Sequence, residues 1–179
     1  ELDDKVVHKQ TLCHLETIPN GLLPKLTPSD AFINAIAPRT FIVDHSTTQS
    51  GQTTYNWDPP PVAIGFDAQY DSSLPTELTD SRVYDWDADG YSAATFQFRL
   101  WGIKDISLFF VQYTDFKMTG YAQDEIISGV VDIQSYKQRV LNTQPAWSIF
   151  KTETSKSKTS GSFKMVKTKA TNCADLAYR

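Results

Sequence analysis

Histidine and cysteine are scarce in this sequence, which excludes several kinds of catalytic site. The three histidines lie at positions 8, 14 and 45, without the clustered spacing that a zinc site requires. Asp44, His45 and Ser46 are the residue types of a hydrolase triad, but adjacent strand residues point to opposite faces, and no G-x-S-x-G elbow occurs. We therefore expect neither zinc chemistry nor a serine or cysteine hydrolase.

Long apolar runs and clustered glycines are also missing. No run approaches the roughly 18 consecutive apolar residues of a membrane-spanning helix. The eight glycines stand singly, so no glycine-rich loop is present to cradle a phosphate. The sequence therefore predicts neither a membrane span nor a nucleotide-binding loop.

Charge is distributed unevenly, although the net charge is only −4. Residues 151–169 contain six lysines and one glutamate, whereas residues 67–89 contain seven carboxylates and one arginine. The lysine-rich stretch holds one aromatic residue, Phe163, and no arginine, so it lacks the stacking platform of a nucleic-acid site. We interpret it as a solvated lysine-rich hairpin and expect no nucleic-acid partner.

Alternating polar and apolar residues predict a protein built almost entirely of short β-strands. The clearest strand is 94–101, and a short connection joins it to an apolar run at 106–113, as in an antiparallel hairpin. One short helix is predicted near residues 29–37, after a Ser or Thr cap and before Pro38. Further strands are predicted at 126–133, 140–141, 147–150 and 162–168.

The predicted fold class is all-β, with an antiparallel β-sandwich or jelly-roll-like arrangement. Residues 1–27 are expected to form an irregular N-terminal arm, because Pro19-Asn20-Gly21 and Pro24 interrupt regular structure. Residues 28–179 are expected to form a single β-sandwich domain.

The stretch from Asp85 to Gly90 has the strongest chemical pattern in the sequence. It carries Asp85, Asp87 and Asp89 at alternate positions before a glycine, as in the first half of a calcium-binding loop. The bidentate acid of a full EF-hand loop would fall on Phe96, so an EF-hand is excluded. We expect a calcium site at the three aspartates, and the alternative is a solvated acidic turn.

Two cysteines, Cys13 and Cys173, lie near opposite ends of the chain. A disulfide between them would close a loop of nearly the whole chain and contribute roughly 5 kcal/mol in the chain-entropy model. Such bridges are typical of extracellular domains, and the alternative is two separate buried thiols. The sequence leaves both open, because a single pair of cysteines carries no spacing information.

Aromatic residues near predicted loops supply the candidate binding surface. Tyrosine and tryptophan present a large rigid area at low entropic cost, as recognition sites require. We expect Trp57, Tyr70, Trp86 and Tyr91 to form a ligand-binding surface beside the acidic loop. For aromatic residues in general, the alternative is that they close the ends of the core.

Taken with the lack of an assembled catalytic set, these features favour a non-catalytic extracellular recognition module, stabilised by calcium, that binds a cell-surface glycan or protein. The alternative is a structural assembly subunit at a virion surface, such as a viral coat or protruding capsid domain, which would self-assemble. A second alternative, less favoured, is a secreted carbohydrate-active enzyme with two carboxylates about 5–10 Å apart in a cleft. Its candidate acids are Asp67, Asp71, Asp85, Asp87 and Asp132.

Overall fold

Antiparallel strands make up most of the fold. The computed structural model describes residues 5–15, 27–100, 104–145 and 152–176. Within these residues the strands are β1 (Lys5–Gln10), β2 (Thr27–Pro28), β3 (Arg39–Thr47), β4 (Thr53–Trp57), β5 (Val62–Ile64), β6 (Ala94–Leu100), β7 (Lys104–Gln123), β8 (Ile126–Gln144), β9 (Glu153–Lys156) and β10 (Thr159–Val166). A helix, α1 (Asp30–Ala35), lies between β2 and β3, and a 3₁₀ turn covers Cys173–Asp175. The predicted all-β, antiparallel, sandwich-like fold is confirmed.

The centre of the sheet is a long hairpin formed by β7 and β8. The two strands pair along almost their whole length. Two β-bulges, after Phe109 and after Asp115, shift the register without ending the pairing. The sequence predicts three shorter strands within this hairpin, at 106–113, 126–133 and 140–141. The structure joins them, because a bulge lets a strand bend while its hydrogen-bond ladder continues.

The other edge of β7 pairs with three strands in succession. β6 pairs with its first part, β5 with its middle and β4 with its last part. β2 extends the sheet beyond β6, while β3 and then β1 extend it beyond β4. The sheet therefore has two halves that share the hairpin. We call the part around β2, β5 and β6 the first half, and the part around β1, β3, β4 and β10 the second half.

The first half carries the hydrophobic core on both faces of β7. On the side of α1, the buried residues are Phe32, Ile64, Ala94 and Phe110. On the other side, they are Phe66, Leu74, Ala93, Phe109, Val111 and Leu141. Burial of one phenylalanine contributes on the order of 2 kcal/mol, so these two groups account for much of the driving force for folding.

Helix α1 is placed by its N-cap, as the sequence predicts. Ser29 has extended backbone angles, and its Oγ accepts a hydrogen bond from the backbone N–H of Phe32 at 3.0 Å. The helix is only six residues long, and Phe32 is its one buried residue. Its stability therefore depends on packing of that ring against Phe96 and Phe110.

The second half curves around one tryptophan. Trp57 on β4 is 2% exposed, and its Nε1 donates a hydrogen bond to His8 Nδ1 on β1 at 2.9 Å. Its ring also meets Phe163 on β10 edge-on, with centroids 5.5 Å apart. Since β1 and β10 are the outermost strands of this half, contact of one ring with both means that the sheet is strongly curved.

Two glycines permit this curvature. Gly120 on β7 and Gly129 on β8 lie opposite each other, between Tyr55 and Phe163 in the same row of the sheet. A Cβ on Gly120 would lie 2.8 Å from Phe163 and 3.1 Å from Trp57. The missing side chain of Gly120 therefore makes the space in which the two rings meet, and that of Gly129 lets β8 approach the backbone of Thr119 on β7.

Two sequence-based expectations require correction. Within the predicted irregular arm, residues 5–10 form the edge strand β1, which has no clear alternation of polar and apolar residues and is defined by its pairing with β3. The predicted lysine-rich hairpin is instead two strands, β9 and β10, that follow one another along the same edge of β8. Ser157 and Lys158 separate them, and Lys158 adopts a positive φ of 55°. The strand predicted at 147–150 lies outside the described residues.

Cys13 and Cys173 form a disulfide, which decides between the two alternatives that the sequence leaves open. Their Cα atoms are 5.2 Å apart, and the bridge spans 160 positions of the sequence. It ties the segment that follows β1 to the 3₁₀ turn near the other end of the chain.

Replacing Gly129 with alanine should destabilise the fold by about 3 kcal/mol, because the new Cβ overpacks the sheet. That Cβ would lie 1.9 Å from the backbone oxygen of Thr119, so β7 and β8 would have to move apart. Gly161→Ala on β10 is the matched control. No atom lies within 4 Å of its added Cβ, and a strand alanine should gain about 0.5 kcal/mol over glycine. Urea unfolding measures the free energy of unfolding of both variants. Equal stability of the two would contradict the packing described.

Candidate functional site

The acidic loop between Asp85 and Gly90 is folded tightly on its own carboxylates. Asp85 accepts hydrogen bonds from the backbone N–H groups of Asp89, at 3.1 Å, and Gly90, at 3.0 Å. Asp89 accepts one from the N–H of Tyr91 at 2.9 Å. Ala88 and Gly90 have positive φ angles of 55° and 90°, which glycine adopts without strain. The loop thus forms a closed turn in which Asp85 and Asp89 accept hydrogen bonds from backbone N–H groups of the loop.

Asp87 is the unusual member of this loop. Its side chain is only 3% exposed, and its Oδ2 accepts a hydrogen bond from the N–H of Thr95 at 3.0 Å. Its Oδ1 has no hydrogen-bond partner among the described residues. Burial raises the pKa of Asp87, and the negative charges of Asp89 and Asp85 act in the same direction. A buried carboxylate costs free energy unless a positive charge compensates it.

The structure brings the three predicted metal ligands together. One carboxylate oxygen from each of Asp85, Asp87 and Asp89 lies within 4.8 Å of the other two. This group of hard oxygen ligands can bind a metal ion. It is the one group of three such ligands found in the described parts of the chain.

Asp80, which precedes the acidic loop, is bound by Arg82. It accepts hydrogen bonds from Nε and Nη2 of Arg82, at 3.1 and 2.9 Å, and from the Arg82 backbone N–H at 2.9 Å. These bonds, with the charge of Arg82, lower the pKa of Asp80. Arg82 also donates to the backbone oxygens of Asp71 and Ser73. Asp80 and Arg82 therefore hold the irregular segment that precedes the acidic loop.

The four predicted binding aromatics do not share one surface. Trp57 is buried in the second half of the sheet, because its side chain lies on the inward face of β4. Its predicted position on a binding surface is therefore wrong. Trp86 is half-buried, with its ring 5.3 Å from that of Phe32. Tyr70 is 92% exposed, and Tyr91 is 49% exposed with its ring against Phe109. Two of the four aromatics are thus free to meet a partner.

A shallow cleft of about 330 Å³ adjoins the acidic loop. Tyr91 and Ser92 form one wall, and Asn142 and Gln144 at the end of β8 form another, above Phe109. The sequence gives no signal for Asn142 or Gln144, because only the pairing of β8 with β7 brings them beside Tyr91. No carboxylate lines the described part of this cleft.

The remaining acids proposed for sugar hydrolysis lie elsewhere. Asp67 accepts a hydrogen bond from the N–H of Gln69, and Asp71 accepts from Ser73 and Arg82. Both therefore stabilise turns. Asp132 is exposed on β8, opposite Lys117. Of the five candidate acids, Asp85 and Asp87 lie together in the acidic loop.

Comparison with known proteins returns no relatives: no family model matches the chain, and neither a curated protein nor a solved structure shows significant similarity to it. None of the helices in residues 5–15, 27–100, 104–145 and 152–176 is long and apolar enough to span a membrane. The disulfide is compatible with an extracellular protein, since such bonds persist in oxidising surroundings.

Asp80 should support stability at neutral pH and lose that effect in acid. Its pKa is lower in the folded protein than in the unfolded chain, so its contribution is present above the unfolded value and disappears as the pH falls through the folded one. Asp80→Asn should therefore lower the Tm by several degrees at pH 7, and the difference from the parent should shrink in strong acid. Thermal unfolding from pH 7 down to strong acid measures this difference in Tm, with the exposed Asp132→Asn as the control. A constant difference at every pH would contradict the ionic role of Asp80.

Proposed function

We propose that this protein is a non-catalytic extracellular recognition module that binds a cell-surface glycan beside a calcium-stabilised loop. The observation that carries this proposal is that one segment of the chain forms part of both the acidic loop and the cleft. Residues 85–92 supply both the carboxylate group and, through Tyr91 and Ser92, one wall of the cleft. An ion held at the three aspartates would therefore set the position of the groups that meet the ligand.

Calcium is the ion that fits the group best. All three candidate ligands are carboxylates, and Ca²⁺ prefers hard oxygen ligands, with water completing its coordination. A divalent cation would also supply the positive charge that the buried Asp87 lacks. Extracellular calcium modules have dissociation constants of about 10⁻⁴–10⁻³ M, so a partly exposed site with three acids suits that setting.

A glycan fits the chemistry of the cleft. A sugar ring has an apolar C–H face that packs on an aromatic ring, and hydroxyl groups that need both donors and acceptors. Tyr91 offers the ring, while Asn142 and Gln144 offer amides that donate and accept. Ser92 adds a hydroxyl. A volume near the lower end of the ~300–1,000 Å³ range of ligand pockets suits one sugar unit at a chain end.

Calcium should raise the Tm of the parent protein relative to chelator, and Asp87→Asn should abolish that rise. At about 100 times Kd the ion adds about 2.7 kcal/mol, or ~5–10 °C for a chain of this size. In chelator, the variant should be at least as stable as the parent, because the amide oxygen still accepts from Thr95 and the buried charge is gone.

The exposed Asp132→Asn serves as the control and should keep the full calcium shift. If calcium leaves the Tm of the parent unchanged, the metal part of the proposal is wrong. If Asp87→Asn still responds, the ion binds elsewhere.

Tyr91→Ala should weaken glycan binding about tenfold or more, because an aromatic anchor at the centre of a site carries much of its affinity. A glycan array identifies a bound sugar, and calorimetry with that sugar measures both proteins. Tyr70→Ala is the matched control, since Tyr70 is exposed but does not line the cleft, and its affinity should equal that of the parent. Absence of any bound glycan, or equal loss in both variants, would count against this site.

A further inference from the structure

The concave face of the second half forms a groove that the described residues do not fill. Two cavities of about 320 Å³ each adjoin there. They share Tyr55, Ile127 and Met165, so they form one continuous groove. All three of these side chains are only half-buried, in contrast to the fully covered core of the first half. We call this the trough.

One wall of the trough is the open edge of β1. β1 pairs with β3 on one side, and no described strand pairs with its other side. Four consecutive residues, from Val6 to Lys9, line the first cavity. Since consecutive strand residues point to opposite faces, all four can line it only if the cavity reaches around the main chain. No residue in the described parts of the chain therefore covers the backbone N–H and C=O groups of this edge.

Apolar side chains continue along this edge. Val7 is 75% exposed and Val6 is 40% exposed, while Met165 of β10 lies across the trough. An unpaired edge next to exposed apolar side chains is a template on which another strand can form.

The charges along β1 are positive, whereas the far end of the trough is mixed, because Asp124, Glu125 and Lys167 line the second cavity. β1 contains Lys5 and Lys9 and no carboxylate. Lys9 is the one charged residue among the described residues that line the first cavity. Lys5 and Lys167 have exposed acidic partners, Asp44 and Glu125, which screen them only in part. The end of the trough beside β1 therefore favours an acidic partner.

We infer that the open edge of β1 binds an extended segment of a partner protein as an added β-strand. Apolar side chains at alternate positions of this segment enter the trough, towards Tyr55, Trp57 and Met165. Acidic side chains at the other positions meet the lysines. The inference is independent of the metal loop and the cleft, which belong to the first half of the sheet.

A short peptide of alternating valine and glutamate tests this inference directly. Fluorescence anisotropy of the labelled peptide, titrated with the full chain, should show saturable binding with a Kd below about 1 mM. This Kd corresponds to a binding free energy stronger than about −4 kcal/mol. The same peptide with lysine in place of glutamate should bind at least about tenfold more weakly. No binding of the acidic peptide would overturn the inference and leave the lysines as protection of an edge against aggregation.

N-methylated peptides test for hydrogen bonding along the edge. An added strand pairs through the N–H groups of every second residue, so methylation of one alternate set should abolish binding while methylation of the other set leaves it. Equal binding by both methylated peptides would overturn strand addition, because simple apolar contact needs no N–H groups.

Charge reversal locates the site on the protein. Lys9→Glu should weaken binding of the acidic peptide about tenfold. Lys137→Glu makes the same change of charge outside the trough and should leave that affinity unchanged. Equal effects of the two variants would mean that only net charge matters and would overturn the assignment to β1. Sedimentation provides the last check: a dimer of this chain that the peptide dissociates would assign the edge to a second copy, which also overturns the inference.

Discussion

The hydrogen-bonded pairing of β7 with β8 is the constraint on which the rest of the structure depends. Every other strand except β1, β2 and β3 pairs directly with one of these two, and those three attach through β4 or β6. Bulges after Phe109 and Asp115 shift the register along the hairpin. The first half, with both faces covered, and the curved second half therefore follow from one continuous pair of strands.

Asp87 connects the acidic loop to this framework. Its Oδ2 receives the N–H of Thr95 at the start of β6, next to the buried Ala94. Tyr91, four residues further on, packs against Phe109 of β7. The loop is thus anchored at two points of the first half, and Tyr91 at one of these points also lines the cleft. A buried carboxylate with an unpaired oxygen is costly, and a bound cation would offset that cost.

Local patterns predict the local features of this fold well. The helix follows from Ser29 and Pro38, the strands from alternation, and the meeting of three aspartates from their spacing before Gly90. What the sequence does not contain is the register between distant strands. Trp57 is buried because the curved sheet brings β1 and β10 to its ring. Asn142 meets Tyr91 because β8 pairs with β7. Strand β1 was missed for the same reason, since its identity as a strand comes from its pairing with β3. Non-local pairing, rather than propensity, decides each of these positions.

The disulfide has a mechanical consequence. Cys13 and Cys173 enclose almost every strand, all but β1. Tension applied to the chain from outside the bridge passes through the covalent bond and does not reach the residues between the two cysteines. Only β1, which lies outside the bridge, would bear such a load through its hydrogen bonds to β3. Under force, the covalent loop would keep its sheet folded while β1 peels away, so the two parts of one small sheet would differ sharply in mechanical strength.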